Sequence, residues 1–333
     1  MPVPSHLVPQ LIPRSQLDLR SWDACVAASL EPVLYAYSWY LDAVLPAPMW
    51  KWAGMVLLDE TGKYQAVMPV PLRRKTIAGI PYAWVVHQPF FCQFLGVFSR
   101  NSQVDEAPFF QQVLKRFRYG SLLCMWQKPN ERFPFDAVYS GSTHTLDLSI
   151  DYPRIYRHYS TDRKASLRRA IRANWTVVES SDIEPLLTLF KDNHAQTIDG
   201  GVADWAYTIL RNLTGELVKR GLVTLRYTLH NGQIEAGALF VQEGGRLIYL
   251  FNAASEAGRR GNARTLLIDQ LVKEKSGQRL VLDFESPAKQ PIRAFYQSFG
   301  AVAVPLWTMR WNRLNPVERA LIKVRSWLTA YYQ

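Results

Sequence analysis

A mixed α/β protein of two domains is the architecture this sequence predicts, and three observations predict it. The 333 residues exceed one ordinary domain. With 48% apolar and 13% aromatic residues, each half can bury its own core. Segments alternating with period two, as strands do, are interleaved with segments of helical spacing along most of the chain. The strands are of mixed direction, an α+β arrangement of mixed sheets.

Residues 15–30 carry Leu17, Leu19, Trp22, Val26 and Leu30 at helical spacing, stopped by Pro32. Residues 38–44 form a short helix before Pro46. Strands at 50–58 and 64–70, joined by Asp59-Glu-Thr-Gly62, read as a hairpin. Further strands are expected at 82–87 and 91–98, a helix at 103–118, and strands at 121–126 and 143–148. This first half, residues 1–150, contains no catalytic motif.

The second half, residues 151–312, begins with a basic helix. Helices at 182–195 and 203–220 come next, then strands 222–229 and 233–242 around Asn231-Gly232, a dipeptide that favours a tight hairpin. A strand at 247–253, a glycine-bearing loop at 258–263 and a helix at 264–275 succeed them. Strand 279–284, helix 292–299 and strand 302–311 close the series. The tail, residues 313–333, predicts an amphipathic C-terminal helix from its stripe of Val317, Ala320, Leu321, Val324, Trp327, Leu328 and Tyr331. Such a helix docks on its own domain or on a membrane surface or partner.

Composition narrows the function classes. Three widely spaced cysteines, Cys25, Cys92 and Cys124, imply neither a disulfide framework nor a metal cluster. The N-terminus lacks a basic segment followed by an apolar run, and no window approaches about 18 uninterrupted apolar residues. No signal peptide and no transmembrane segment are expected, and the chain reads as cytoplasmic. The formal charge of +11 favours anionic partners, whether phosphorylated cofactors, nucleic acid or a membrane surface.

Three constellations carry candidate chemistry. In the first, Ala257-Gly-Arg-Arg-Gly-Asn-Ala263 joins a strand to a helix. Backbone N–H groups at such a junction bind anions, glycines admit close approach, and Arg259 and Arg260 match a pyrophosphate. The same residue types also make an ordinary turn. The second is Leu282-Asp-Phe-Glu-Ser286 followed by Ala294-Phe-Tyr-Gln-Ser-Phe-Gly-Ala301. Asp283 and Glu285 alternate at a strand end, where an α/β sheet places its ligands, and either could take a proton from an attacking amine. Tyr296 could return a proton to the leaving group. Cap, salt-bridge and core roles are the structural alternatives for these three. The third is Arg154–Arg172, where Lys164, Arg168 and Arg172 recur at every fourth position as a basic ridge, either a solvated face or a surface for substrate or RNA phosphates. Asp162 is the expected cap, with Leu167, Ala170 and Ile171 facing inward.

The element order, the loop Gly258-Arg-Arg-Gly-Asn-Ala263 and the run Phe295-Tyr-Gln-Ser-Phe-Gly-Ala301 resemble the GNAT acyl-CoA N-acyltransferase superfamily. That resemblance implies a pyrophosphate cradle at Gly258, Arg259, Arg260, Gly261, Asn262 and Ala263, coenzyme A or acyl-CoA as cofactor, and Tyr296 as general acid. Gly258 stands where the superfamily has Gln or Arg, and Ala301 replaces its usual Phe. The basic helix and the Asp283-Phe-Glu-Ser286 run resemble the Fem-type transferases, in which two GNAT-like domains occur in tandem. Those enzymes move amino acids from aminoacyl-tRNA to a peptidoglycan precursor.

These residues and resemblances together imply an acyltransferase of two tandem GNAT-like domains, the second active, passing an acyl group from acyl-CoA to an amine. Glu285 or Asp283 assists deprotonation, Tyr296 assists the leaving group, and backbone N–H groups near Ala253–Ser255 polarise the carbonyl. The alternatives are an aminoacyl-tRNA-dependent transferase with a peptidoglycan-precursor acceptor, in which tRNA is the partner, and a non-catalytic GNAT-fold binding module. His158 and His194 have no companion ligands at metal spacing, so no metal is expected. A serine-nucleophile elbow is absent.

Overall fold

Residues 8–77, 80–124, 136–198, 200–286 and 289–315 are described by the structure, a computed structural model. They group into two compact units. Unit 1 comprises residues 1–140 with 306–333, and unit 2 comprises residues 141–305. The sequence drew its domain boundaries at 150 and 312 instead.

Unit 1 contains β1 (Gln10–Pro13), α1 (Leu19–Ala27), α2 (Ser38–Val44), β2 (Trp50–Leu58), β3 (Tyr64–Ile77), β4 (Ile80–Val86), β5 (Phe98–Ser99), α3 (Ala107–Arg116) and β6 (Tyr119–Cys124). Helix α1 starts later than its apolar spacing suggested, because the Asp18 carboxylate accepts from the N–H groups of Arg20 and Ser21 and caps it there. Its buried face is Trp22, Cys25 and Val26. The hairpin β2–β3 forms as predicted and extends to Arg73 opposite Trp50. The strand expected at 91–98 is mostly absent. Only Phe98 and Ser99 pair with β3, while Cys92, Phe94, Leu95 and Val97 are buried by an irregular segment. There the Gln88 side chain takes the place of a ladder, donating to the Cys92 carbonyl and accepting from the Leu123 N–H.

Unit 2 runs through β7 (Asp136–Asp147, of which residues 141–147 belong here), α4 (Tyr152–His158), α5 (Thr161–Arg172), β8 (Thr176–Ser180), α6 (Glu184–Asn193), α7 (Asp204–Lys219), β9 (Val223–His230), β10 (Gln233–Glu243), β11 (Arg246–Ala254), α8 (Glu256–Arg260), α9 (Ala263–Lys275), β12 (Val281–Asp283), α10 (Gln290–Gln297) and β13 (Val302–Asn312). The last strand serves unit 1 at its far end, where residues 307–312 pair antiparallel with β6. Within unit 2 the strand order is β7-β12-β11-β10-β9-β8. Among the described pairings in this order β11 and β12 are the parallel neighbours, with α8 and α9 in the crossover between them. Helix α9 is buried on most sides, and Leu267, Ile268, Leu271 and Val272 pack with Phe240, Tyr249, Phe284 and Phe299.

Three local differences from the sequence reading have clear causes. The basic segment is two helices, because the Asp151 carboxylate caps α4 and the Ser160 hydroxyl caps α5. Asp162 therefore sits in the first turn of α5 and is not its cap. Leu167 and Ala170 face the core as expected, whereas Ile171 is 61% exposed. Strand β8 was not anticipated; it is a short edge strand beside β9 whose mostly exposed residues leave no apolar alternation to read. The Asn231-Gly232 turn is as predicted, both residues holding positive φ (48° and 77°) between paired His230 and Gln233. The expected C-terminal helix lies outside the described residues.

Candidate functional site

Strand β11 runs on well past the end of its parallel neighbour β12. Their pairing stops at Ile248 opposite Asp283, yet β11 continues to Ala254. An extra residue on β11, Leu250, shifts its register against β10 between Leu239 and Phe240, a bulge that redirects the rest of the strand. The carboxyl ends of parallel strands are where an α/β sheet places its ligands. Asn252 stands on one side of this end and the Asp283–Ser286 segment on the other.

Tyr296 of α10 meets this end of the sheet. It is 5% exposed, stacks on Phe284 with ring centroids 4.5 Å apart, and lies edge-on to Tyr249. Burial pushes its hydroxyl up to about 12, while the Arg264 cation and the Asn252 side chain pull it partly back and the Glu285 carboxylate raises it. Tyr296 therefore stays protonated at neutral pH. Arg264, in the first turn of α9, donates to Asn252 Oδ1 at 2.9 Å and sits 5.6 Å from the Phe295 ring.

The two predicted carboxylates occupy different environments. Asp283 is fully buried, ion-paired with Arg246 at 2.7 Å, and accepts from the Thr143 hydroxyl and the Glu285 N–H. Glu285 lies beyond the strand in a left-handed conformation (φ 45°) and is half-buried. The expected alternation of the two on one strand face does not form, since β12 ends at Asp283.

The predicted phosphate loop is a single helical turn, α8, followed by left-handed Asn262. Its N–H groups bond internally: Gly258 to the Ser255 hydroxyl, Arg259 to the Ser255 carbonyl, Gly261 to Ala257 and Asn262 to Arg259. Both glycines make room for protein. A Cβ at Gly258 would lie 2.1 Å from the Glu235 carbonyl, and one at Gly261 would lie 2.2 Å from the Trp175 ring. Arg259 donates to the Ala254 carbonyl and Arg260 pairs with Glu256. Ala263 is buried at the start of α9. This arrangement is a poor fit to a pyrophosphate, which needs donors that face outward. The backbone donors expected near Ala253–Ser255 are also engaged, Ala254 N–H with His194 Nε2 at 3.1 Å and Ser255 N–H with the Glu235 carbonyl.

On the basic ridge, Arg168 and Arg172 are exposed, while Lys164 donates to the Arg157 carbonyl. The same helix supplies a residue the sequence did not single out. Arg163 is 8% exposed, donates to the hydroxyls of Ser298 and Thr265, and lies 4.2 Å from the Phe295 ring and 4.6 Å from that of Phe299. None of these partners is a carboxylate. Burial pulls its guanidinium down to about 10, so it remains charged. Arg163, Asn252 and Arg264 carry no motif; only Arg163 left a sequence signal, a cation one step off the solvent-facing ridge. Among the described residues no group of three or more His, Cys, Asp or Glu is arranged to hold a metal ion, and no helix is long and apolar enough to cross a membrane.

Fold and family match together define an acyltransferase, with a buried tyrosine where β11 runs on past the end of β12. Residues 158–284 match the family model of the acetyltransferase (GNAT) domain. Over these residues the chain carries a GNAT acyltransferase domain, and its fold is shared with the structures that follow. Among solved structures it is similar to FemX, with 12% identity, a TM-score of 0.64, and 91% of this chain covering 98% of that one. A tandem GNAT protein from the clavulanic acid biosynthesis pathway has 11% identity and a TM-score of 0.50, covering 91% and 98%. Saccharomyces cerevisiae N-myristoyltransferase with bound myristoyl-CoA has 12% identity and a TM-score of 0.52, covering 95% and 81%. No curated protein sequence matches the chain significantly.

Proposed function

We propose that unit 2 transfers an aminoacyl group from the ester of an aminoacyl-tRNA to an amine, with a peptidoglycan-precursor amine as the acceptor class. The observation that carries the choice of donor is the closed turn at 256–262, whose glycines accommodate Glu235 and Trp175 and whose arginines bond within the turn. An acyl-CoA pyrophosphate would need those groups turned outward. The donor's terminal phosphates would instead meet the positive field of Arg264 and Arg163, with exposed Arg168 and Arg172 along α5. The resemblance to Fem-type transferases supports the same donor.

In this mechanism the acceptor nitrogen attacks the ester carbonyl. The C–N bond forms, the carbonyl π electrons move to oxygen, and Arg264 stabilises the oxyanion. Glu285 removes the proton that the nitrogen must lose. When the tetrahedral species collapses, the C–O bond to the ribose breaks and Tyr296 protonates the leaving oxygen. Asp283 is a positioning residue, since it fixes the backbone N–H of Glu285. A second reading, transfer from acyl-CoA, is favoured by the acetyltransferase domain matched over 158–284.

The test supplies tRNA charged with labelled amino acids and, separately, acetyl-CoA, each with hydroxylamine as a simple amine. Label transfer from charged tRNA without thiol release from acetyl-CoA is expected. Saturable thiol release with charged tRNA left intact would replace this donor by acyl-CoA. Inactivity with both in the folded protein would favour the binding module.

A further inference from the structure

Unit 1 presents a surface that its core does not require. β3 and β4 form an antiparallel hairpin in which Arg73, Arg74 and Lys75 lie opposite Val85, Trp84 and Ala83. Toward its end the side chains are apolar and exposed, Ile80 at 69% and Tyr82 at 47%. Met49, 41% exposed, joins them, because its carbonyl accepts from the Arg74 N–H at 2.8 Å. Beside them an open groove of about 600 Å³ is lined by Pro48, Trp50, Lys51, Arg74, Tyr82 and Trp84 among others, with no carboxylate among the described residues of its lining. Lys51 Nζ lies 4.2 Å from the Trp84 ring centre and the Arg73 guanidinium 5.5 Å from that of Trp50.

The chemistry of this face is layered. Isoleucine and proline stand exposed at its end and methionine beside Arg74, tryptophan and tyrosine lie behind them, and two cations that line the groove, Lys51 and Arg74, accompany the aromatics. A bilayer surface has the same layering: hydrocarbon takes aliphatic side chains, the headgroup zone takes Trp and Tyr, and anionic lipids attract Lys and Arg. A single-stranded RNA would use the rings and the cations but gain nothing from exposed Ile80 and Met49. We propose that the β3–β4 hairpin face docks the chain on an anionic phospholipid bilayer. This goes beyond the acyl-transfer reading of unit 2 and does not depend on it.

The experiment is co-sedimentation of the full chain with phosphatidylcholine vesicles, alone or mixed with phosphatidylglycerol. Binding to the mixed vesicles, weakened by added salt, is expected. The Lys51→Gln, Arg74→Gln variant should lose roughly 30-fold in partitioning, since each cation near an anionic surface contributes about 1 kcal/mol. Ile80→Asn with Tyr82→Asn should lose about tenfold on the same vesicles. Both exposed residues can be changed without emptying the core, and an unchanged melting temperature checks this. Equal partitioning onto both vesicle types, or undiminished binding by either variant, would overturn the proposal. So would binding of uncharged tRNA that both variants abolish while vesicles are ignored, a result that assigns the face to RNA.

Discussion

Two pairs of arginines in unit 2 meet their surroundings in opposite ways. Arg259 and Arg260 lie on the surface of a glycine-flanked turn, where a sequence reader looks for an anion site, yet each is bonded within a few residues of itself. Arg163 and Arg264 come from different helices, α5 and α9, and approach the same ring, Phe295. Their hydrogen-bond partners are hydroxyls and an amide, and among the described residues no carboxylate is bonded to either. A guanidinium removed from water without a counter-charge is costly unless something anionic joins it. The lesson is that local partners cancelled the advertised charge, while tertiary packing concentrated the unadvertised one.

The largest effect expected on this contrast is catalytic. Tyr296→Phe removes the proposed proton donor beside Arg264 and should lower kcat by about 10²- to 10⁴-fold with little change in folding. Single-turnover rates check it, and an unaltered rate would detach the buried pair from chemistry. Next comes donor affinity. Arg163→Met keeps the volume and removes the charge, so donor affinity should fall about tenfold while stability holds or rises. Loss of stability with unchanged affinity would mean that Arg163 only ties α5 to α10. The turn should respond in stability instead. Gly258→Ala meets the fixed Glu235 carbonyl and should cost about 1–3 kcal/mol in urea unfolding. Gly261→Ala should be rescued in part by Trp175→Leu. The smallest effect is expected at the exposed pair: Arg259→Ala with Arg260→Ala should change donor affinity less than about threefold. A tenfold loss there would reverse the comparison and favour acyl-CoA.

Buried histidines sharpen the contrast, because they can answer burial by shedding charge. Burial is the first cause that holds His144 and His194 below their usual 6.5. The unfolded chain then binds more protons, so stability is present above about pH 6.5 and is lost as pH falls through the lowered values. The urea midpoint should decline between about pH 7 and pH 5, and His144→Asn should flatten that decline.

Much of unit 2 was legible because its elements are local. The Asn231-Gly232 turn, the run 264–275 and Tyr296 on α10 all derive from spacing and turn chemistry. The strand expected at 91–98 was not, since apolar alternation reports burial and the Gln88 side chain can satisfy a backbone that has no ladder. Ile171 misled in the opposite sense: its helical phase was set by the Ser160 cap, many positions before the chain carries it into solvent. Asp283 and Glu285 looked alike in sequence and differ in the fold because the strand stops between them.

By itself the sequence determined most of the element order, the mixed α/β class and the helix that carries Tyr296, because period, caps and turns act over a few residues. Tertiary structure alone decided which charges remain available. The Arg163–Ser298 bond spans 135 positions and the Arg246–Asp283 pair 37, and no local pattern carries such distances. Electrostatics depends on which groups become neighbours after water is excluded, and that is settled only when the chain packs.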